Sequence, residues 1–215
     1  MKKNVLQLLE ETTSKYPQNT ALVDDKRSIS YTSYLDEAKR IGSFLGVLHQ
    51  EAYARPIIVL VDRRIDTIIA FMGVLYSGHF YVPVDNKTPI ERFKNIINVL
   101  NPIAIIGFNE NEAKLKESLD NDLPYYNYQN LISSSIDDDL LHKIRKVSID
   151  LDPAYAIFTS GSTGVPKAVA IAHRSVIDLA SWLVNTFSFD SNDVLGNQTP
   201  FYFDASVKDI YLSIM

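Results

Sequence analysis

Apolar residues along the chain alternate between short continuous runs and helically spaced stretches. Three continuous runs predict buried strands: residues 57–61, 80–84 and 103–106. Helical spacing predicts helices between them: residues 32–48, 65–76 and 89–100. Because strands alternate with helices, the sequence predicts an α/β fold with a mainly parallel sheet and flanking helices.

Residues 120–152 interrupt this alternation. They contain the run Ser133-Ser134-Ser135 and the triple acid Asp137-Asp138-Asp139, and they show no clear period. The sequence therefore predicts a connecting region with one short helix, after which the alternation resumes at Ala154. Residues 1–215 together are expected to form a partial subdomain of a larger domain.

Three single residues can also be assigned a role from the pattern. Thr32 precedes the helically spaced residues and can cap that helix. Trp182, the single tryptophan, stands among apolar residues of a predicted helix and is expected to fill core space. His173 begins that helix, so a capping or polar-surface role is expected for it.

The composition excludes several classes of protein. The 215 residues are 46% hydrophobic and 22% charged, with a formal net charge of -5, which argues against a nucleic-acid binder. Without cysteine there is neither a disulfide framework nor thiolate chemistry. The first 17 residues lack the apolar core of a signal peptide, and no apolar run is long enough to cross a bilayer. A cytoplasmic location without nucleic-acid or membrane partners is expected.

A loop rich in hydroxyls and glycines separates two predicted strands, Tyr155–Phe158 and Ala168–Ala172. The loop consists of Thr159, Ser160, Gly161, Ser162, Thr163, Gly164, Val165, Pro166 and Lys167. Glycine permits close backbone approach, hydroxyls donate hydrogen bonds, and lysine supplies a positive charge. This combination predicts phosphate binding, and a solvated hairpin loop is the alternative.

The loop differs from a Walker loop at two positions. Pro166 stands where a Walker loop has its second glycine, and Ala168 stands where the magnesium-binding Ser or Thr would be. The predicted phosphate site is therefore of another kind.

The string TSGSTGVPKAV resembles the phosphate-binding signature of the adenylate-forming enzymes, the superfamily of acyl-CoA ligases, luciferases and nonribosomal-peptide adenylation domains. Three further strings resemble motifs of its amino-acid-activating branch, in the expected order: ISYTSYLDEAKRIGSFL around Tyr31, VLYSGHFYVPVD with Gly78 to Asp85, and FYFDASVKDIYLSIM with its Phe-Asp-x-Ser motif. Ala168 departs from the family, in which glycine usually follows the lysine.

The resemblance implies a two-step reaction. An amino-acid carboxylate attacks the α-phosphorus of ATP, pyrophosphate leaves, and the aminoacyl group then passes to the phosphopantetheine thiol of a carrier protein. The resemblance assigns the β- and γ-phosphates to the following residues: Thr159, Ser160, Gly161, Ser162, Thr163, Gly164 and Lys167. ATP and Mg²⁺ are the expected cofactors, although the sequence shows no metal-ligand cluster.

The later motifs of the family do not occur in this sequence. Among them are the acidic residue that helps hold magnesium, the aspartate that binds the ribose, and the catalytic lysine. The chain is therefore expected to be the N-terminal part of an adenylation domain, to contain no certain catalytic residue and to be inactive alone.

Four residues of the last motif are expected to contact the substrate: Phe203, Asp204, Ala205 and Lys208. The resemblance implies that Asp204 pairs with the substrate ammonium, whereas helix capping and a surface pair between Asp204 and Lys208 are the alternatives. A helical wheel places both charges within or at the edge of the apolar arc, opposite Ser206, Asp209 and Ser213, which favours a pocket. Lys208 in a pocket would favour an acidic amino acid such as glutamate or aspartate.

Three functional interpretations remain besides the leading one, a nonribosomal-peptide adenylation domain. A D-alanine–carrier-protein ligase has similar motifs. A fatty-acid or aryl-acid ligase is disfavoured because Asp204 suits a substrate with an ammonium group. A catalytically silent binding module that retains half of an old enzyme is the alternative from a different class.

Overall fold

A computed structural model of the chain describes residues 2–108, 115, 123–159 and 167–215. The helices within these residues are α1 Leu6–Lys15, α2 Tyr31–Leu48, α3 Ile65–Tyr76, α4 Ile90–Leu100, α5 Tyr128–Ile132, α6 Asp138–Val147, α7 His173–Phe187 and α8 Ala205–Leu212. The strands are β1 Thr20–Val23, β2 Ser28–Ser30, β3 Pro56–Val61, β4 Phe80–Asp85, β5 Ala104–Gly107, β6 Tyr125–Asn127, β7 Pro153–Thr159 and β8 Lys167–Ala172.

Six strands form the central sheet in the order β6-β5-β3-β4-β7-β8. The pairs from β6 to β7 are parallel, and β8 runs antiparallel to β7. Strands β1 and β2 form a separate antiparallel hairpin. The predicted α/β fold with a mainly parallel sheet is confirmed.

Both faces of the sheet are covered, which explains why β3 is buried at every residue. Successive side chains of a strand point to opposite faces. Ile57 and Val59 therefore belong to the larger core, which includes residues of α2, α3 and α8. Ile58 and Leu60 belong to the smaller core, which α4 covers. The long apolar runs of the sequence follow from this double cover.

The predicted connecting region is more regular than expected. Besides β6, the described part of this region, residues 123–152, contains two helices, α5 and α6, so the prediction of one short helix is wrong. The triple acid belongs to the beginning of α6, where the Asp137 side chain accepts a hydrogen bond from Leu140 N at 2.9 Å. Acidic residues in a first turn also interact favourably with the helix dipole.

Three single-residue predictions also need correction. Ser30 rather than Thr32 caps α2, because the Ser30 side chain accepts from Ser33 N. Trp182 is 57% exposed instead of filling the core. His173 is buried instead of lying on the surface, and its Nδ1 accepts from Val5 N at 3.4 Å.

Among the described residues, none of the helices combines the length and the apolarity that a membrane crossing requires.

Candidate functional site

The carboxyl ends of the parallel strands lie at one edge of the sheet, which we call the carboxyl edge. Strands β3, β4, β5 and β7 end there, at Val61, Asp85, Gly107 and Thr159. In open α/β sheets, ligands bind in the crevice outside these ends. The carboxyl edge is therefore the first place to look for a site.

Two residues of the predicted phosphate-binding set are described, and both lie at this edge. Thr159 ends β7 and Lys167 begins β8, where the two residues are register partners and both are exposed. The Thr159 hydroxyl donates to the Lys167 carbonyl at 3.4 Å. The other predicted phosphate ligands lie outside the described residues: Ser160, Gly161, Ser162, Thr163 and Gly164.

The segment before α8 lies against the same edge. The Arg63 guanidinium donates to the Gln198 carbonyl at 3.2 Å. The pKa of Tyr202 is raised by desolvation and then by the nearby carboxylate of Asp85, the last residue of β4. Gln198 thus contacts the chain just after β3, and Tyr202 of the last sequence motif lies near the end of β4. Sequence reasoning missed the first contact because Arg63 and Gln198 belong to no recognisable pattern.

Asp204 occupies the N-cap position of α8 without acting as a capping side chain. Its carboxylate makes no cap hydrogen bond, although its carbonyl accepts from Val207 N at 3.0 Å. Asp204 is exposed, as are its neighbours Phe203 and Ala205. The capping alternative is therefore not supported, and the carboxylate is available to a ligand.

Lys208 is exposed, and its ammonium pairs with the carboxylate of the adjacent Asp209. The other oxygen of Asp209 accepts from Asn197 Nδ2 at 3.0 Å. Because neither Lys208 nor Asp204 faces the core, the helical-wheel premise behind their pocket roles is wrong. A role of Lys208 towards the substrate stays a prediction.

Ser206 shows why the wheel was misleading. It was assigned to the polar face of the helix, yet it is fully buried. Its hydroxyl donates to the Phe203 carbonyl at 2.7 Å, and this local bond removes the cost of burying a polar side chain. The buried face of α8 is consequently rotated away from Lys208.

The opposite edge of the sheet, which we call the amino edge, holds two buried histidines. Burial lowers the pKa of His79 to about 4, with smaller contributions from His49 and Arg55. Burial also lowers the pKa of His173 to about 4. Both rings are therefore neutral near pH 7.

The described residues form a cleft beside the last helix, but they form no cluster of metal-binding side chains. Within the part of the chain that the structure describes, no group of three or more His, Cys, Asp or Glu side chains could hold a metal ion. A cleft of about 860 Å³ lies between α1, the β1–β2 hairpin, residues 189–197 and the second half of α8. The residues that line this cleft include neither Thr159 nor Asp204.

Comparison with protein families gives a match over nearly the whole chain. Residues 9–215 match the model of the family described as AMP-binding enzyme. The chain is 31% identical over 209 residues to the D-alanine–D-alanyl carrier protein ligase of Staphylococcus haemolyticus, with 97% of this chain and 40% of the relative covered. The corresponding ligase of Listeria welshimeri is 32% identical, with 98% and 41% covered.

A longer relative is bacitracin synthase 3 of Bacillus licheniformis, which is 28% identical over 99% of this chain and 3% of its own length. The chain thus spans about two fifths of the length of the D-alanine ligases that it matches.

Solved structures show the same fold. The nonribosomal peptide synthetase FmoA3 superposes with a TM-score of 0.86 at 22% identity, covering 98% of this chain and 22% of FmoA3. VinN superposes with a TM-score of 0.83 at 21% identity, covering 100% of this chain and 58% of VinN. At these identities the likeness concerns the fold.

Proposed function

The chain belongs to the AMP-binding enzyme family, and from this premise we propose that it forms the N-terminal part of an ATP-dependent enzyme that activates an amino acid. In the proposed first step, a carboxylate oxygen of the amino acid attacks the α-phosphorus of ATP, and pyrophosphate leaves. In the second step, a carrier-protein phosphopantetheine thiol attacks the acyl carbon, and AMP leaves. The relatives' greater length supports placing these steps in a longer polypeptide.

The observation that carries the proposal is the position of two opposite charges at the carboxyl edge of the sheet. Lys167 begins β8 beside the carboxyl end of β7. Asp204 is the N-cap residue of α8, and the segment before it contacts the chain near the ends of β3 and β4. Lys167 suits the phosphates of ATP, and Asp204 suits an ammonium group. Activation of an amino acid needs both groups close together.

Phosphate binding is assigned to the hydroxyl-glycine loop that begins at Thr159 and ends at Lys167. Three kinds of group are needed there: donors, backbone amides that can approach closely, and a positive charge. The sequence supplies each of them between Thr159 and Lys167. Mg²⁺, when bound, would offset charge on the phosphate oxygens, and it usually retains several waters beside its phosphate ligands.

Ammonium binding is assigned to Asp204. Its carboxylate is exposed and makes no cap hydrogen bond, so a ligand ammonium need not displace a helix cap. A hydrogen bond between a carboxylate and an ammonium is about twice as strong as one between neutral groups. A substrate without an ammonium would lose this interaction.

Lys208 carries the finer proposal that the amino acid is acidic. Its ammonium lies one turn along α8 from Asp204 and pairs with Asp209 at the surface. The Lys208 side chain is 48% exposed, so a substrate carboxylate can approach its ammonium beside the Asp209 carboxylate, which is 11% exposed. Glutamate or aspartate is then preferred.

The second candidate substrate is D-alanine. It is supported by the two D-alanine–D-alanyl carrier protein ligases at 31% and 32% identity. Such an enzyme would also use Asp204 for the ammonium, but it would gain nothing from a positive charge at Lys208. The two candidates therefore differ in the effect of Lys208→Ala, which should weaken the activation of an acidic amino acid but not that of D-alanine.

Amino-acid-dependent exchange between pyrophosphate and ATP tests the proposal in the complete protein that carries this chain. Glutamate, aspartate, D-alanine, lysine and an aromatic amino acid form the panel. We expect exchange with one of them, and Asp204→Asn should lower it about a hundredfold at low substrate concentration, because the buried face of α8 is unchanged while the charge is lost.

Matched variants separate these roles from general damage. Asp178→Asn removes an exposed carboxylate on α7, and Lys143→Ala removes an exposed ammonium on α6, so both should leave exchange unchanged. Lys167→Ala should raise the KM for ATP. A folded protein without exchange on any amino acid would favour the silent module, and D-alanine preference that Lys208→Ala does not alter would exclude the acidic substrate.

A further inference from the structure

Buried residues stand on both sides of the exposed Asp204, close to it in the sequence. Before it, Phe201 is 8% exposed, and after it, Ser206 is 0% exposed. Ser206 is also the last residue of the Phe-Asp-x-Ser motif, and the proposed function assigns no role to it. The exposed carboxylate is thus carried by a short piece of chain whose neighbours on either side belong to the interior.

The Ser206 hydroxyl bonds to the turn that leads into α8. Its Oγ lies 2.7 Å from the Phe203 carbonyl oxygen and 3.4 Å from the Phe201 carbonyl oxygen. The Phe203 carbonyl also accepts from Ser206 N at 3.1 Å. Because Asp204 lies between Phe203 and Ser206, these bonds span it and restrict the movement of its backbone.

Phe201 attaches the same turn to the larger core. Its ring packs edge-on against Phe71 of α3 with 6.2 Å between ring centroids, and the Phe71 ring stacks on Tyr81 of β4 at 4.0 Å. The turn itself is closed by Phe203 N, which donates to the Pro200 carbonyl at 3.0 Å. The packing of Phe201 therefore sets the position of this turn relative to α3 and β4.

The chain after Asp204 is held in the interior as well. Val207 is 3% exposed and belongs to the larger core, and its N donates to the Asp204 carbonyl at 3.0 Å. The Asp204 carboxylate makes no cap hydrogen bond of its own. The backbone on either side of Asp204 consequently determines where its carboxylate meets a ligand.

We propose that Ser206 and Phe201 are positioning residues, which hold the backbone of Asp204 and thereby place its carboxylate where the substrate ammonium binds. This inference rests on the proposed function. Neither residue is assigned a contact with the substrate. Ser206 fixes the first turn of α8 to the preceding turn, and Phe201 fixes that preceding turn to the core.

Two residues far from Asp204 in the fold provide matched controls. Ser77, at the end of α3, is 4% exposed, and its hydroxyl donates to the Val74 carbonyl at 2.7 Å. Ser77→Ala therefore removes a bond of the same length and the same spacing in sequence as Ser206→Ala does. Phe93 of α4 is 2% exposed and belongs to the smaller core, so Phe93→Leu matches Phe201→Leu.

The first test compares these four variants in the complete protein, with pyrophosphate exchange as the assay. Ser206→Ala and Phe201→Leu should each raise the KM for the amino acid about fivefold and leave the KM for ATP within about twofold, because small displacements of a binding group are costly. Ser77→Ala and Phe93→Leu should change neither KM. Urea midpoints of the four variants show whether each pair has lost a similar amount of stability.

A double-mutant cycle tests whether Ser206 acts through Asp204. Ser206→Ala should lower kcat/KM for the amino acid about fivefold in the wild-type chain, but less than about twofold in the Asp204→Asn protein, where the charge to be positioned is absent. A purely structural role would give the same factor in both backgrounds. Ser206→Ala retains the test if Phe201→Leu prevents folding, because the Phe203 carbonyl keeps its bond from Ser206 N.

The outcomes separate this inference from the function on which it rests. If Asp204→Asn loses amino-acid activation while Ser206→Ala behaves like Ser77→Ala, or has an equal effect in both backgrounds, the positioning role is refuted and the proposed function stands. If Asp204→Asn activates the amino acid normally, or if the protein catalyses no exchange, the assigned function fails and this inference fails with it.

Discussion

The two edges of the central sheet have opposite properties. At the amino edge, His79, His173 and Asn4 are each 3% exposed. At the carboxyl edge, Thr159 and Lys167 are exposed, and so is Asp204 at the N-cap position of α8. The same sheet therefore has one edge that is sealed by protein and another that leaves its polar groups in contact with solvent.

Internal hydrogen bonds explain why the amino edge is closed. Asn4 Nδ2 donates to Ser148 Oγ at 3.0 Å and lies 3.3 Å from His173 Nε2. Leu6 N donates to Asn4 Oδ1 at 3.0 Å, and Val5 N donates to His173 Nδ1 at 3.4 Å. Buried polar groups are tolerated when they are paired in this way, and this edge contributes stability instead of a binding surface.

The largest predicted difference between the edges is a dependence of stability on pH that comes from the amino edge. The pKa of His79 and that of His173 are about 4 in the folded chain, below the value of about 6.5 in an unfolded chain. As the pH falls below 6.5, the unfolded state takes up protons that the folded state does not, so folding stability is lost down to pH 4. The free energy of unfolding should fall by about 2 kcal/mol per histidine between pH 7 and pH 5.

Urea unfolding at the two pH values measures this loss. His173→Gln should reduce the difference between pH 7 and pH 5, whereas His142→Gln, which replaces an exposed ring, should leave it unchanged. If the free energy of unfolding depends equally on pH in the wild-type chain and in both variants, the buried histidines are not the source of the pH dependence.

A smaller effect is expected from Gly78, the residue before His79. Its φ is +79°, and a Cβ there would lie 2.8 Å from Ile144 Cγ2. Gly78→Ala should therefore lower the free energy of unfolding by about 1–3 kcal/mol. Gly196→Ala is the control, because a Cβ at Gly196 would have no neighbour within 4 Å, and equal urea midpoints for the two variants would contradict a tightly packed amino edge.

The smallest effect on stability is expected at the open side of the molecule. Lys208→Ala removes a half-exposed ammonium from the largely buried Asp209 carboxylate, which keeps its hydrogen bond from Asn197, so the free energy of unfolding should change by less than about 1 kcal/mol. Chemical denaturation of this variant beside the wild-type chain is sufficient. A loss of several kcal/mol would mean that Lys208 has a structural role.

Much of the fold could be predicted from the sequence because the elements that form the sheet have strong patterns. The run Ile57–Val61 lies within β3, and the predicted helix Ile65–Tyr76 has the bounds of α3. Strand β6 escaped prediction because its three residues are too few to show a period. Helix α6 escaped because its acidic beginning resembles a solvated loop, although the same acids cap and stabilise a helix.

The site was less predictable because side-chain direction depends on packing. The four motifs correctly identified the family, and Asp204 is exposed at the beginning of α8. A helical wheel drawn from the sequence cannot show that the Ser206 hydroxyl bonds to the nearby Phe203 carbonyl, which allows Ser206 to be buried while Lys208 faces solvent. In the same way, Trp182 was predicted to fill the core because it stands among apolar residues in the sequence, whereas it is exposed and packs edge-on against Phe187.

Hydrogen exchange at the two edges tests the central claim most directly. The complete protein is compared with and without a non-hydrolysable ATP analogue and Mg²⁺, and amide exchange is followed along the chain. We predict slower exchange in peptides that include Thr159 and Lys167, and no change in peptides that include His79 and His173. Slower exchange confined to the amino edge, or no change at either edge under saturating analogue, would contradict the assignment of ligand binding to the carboxyl edge.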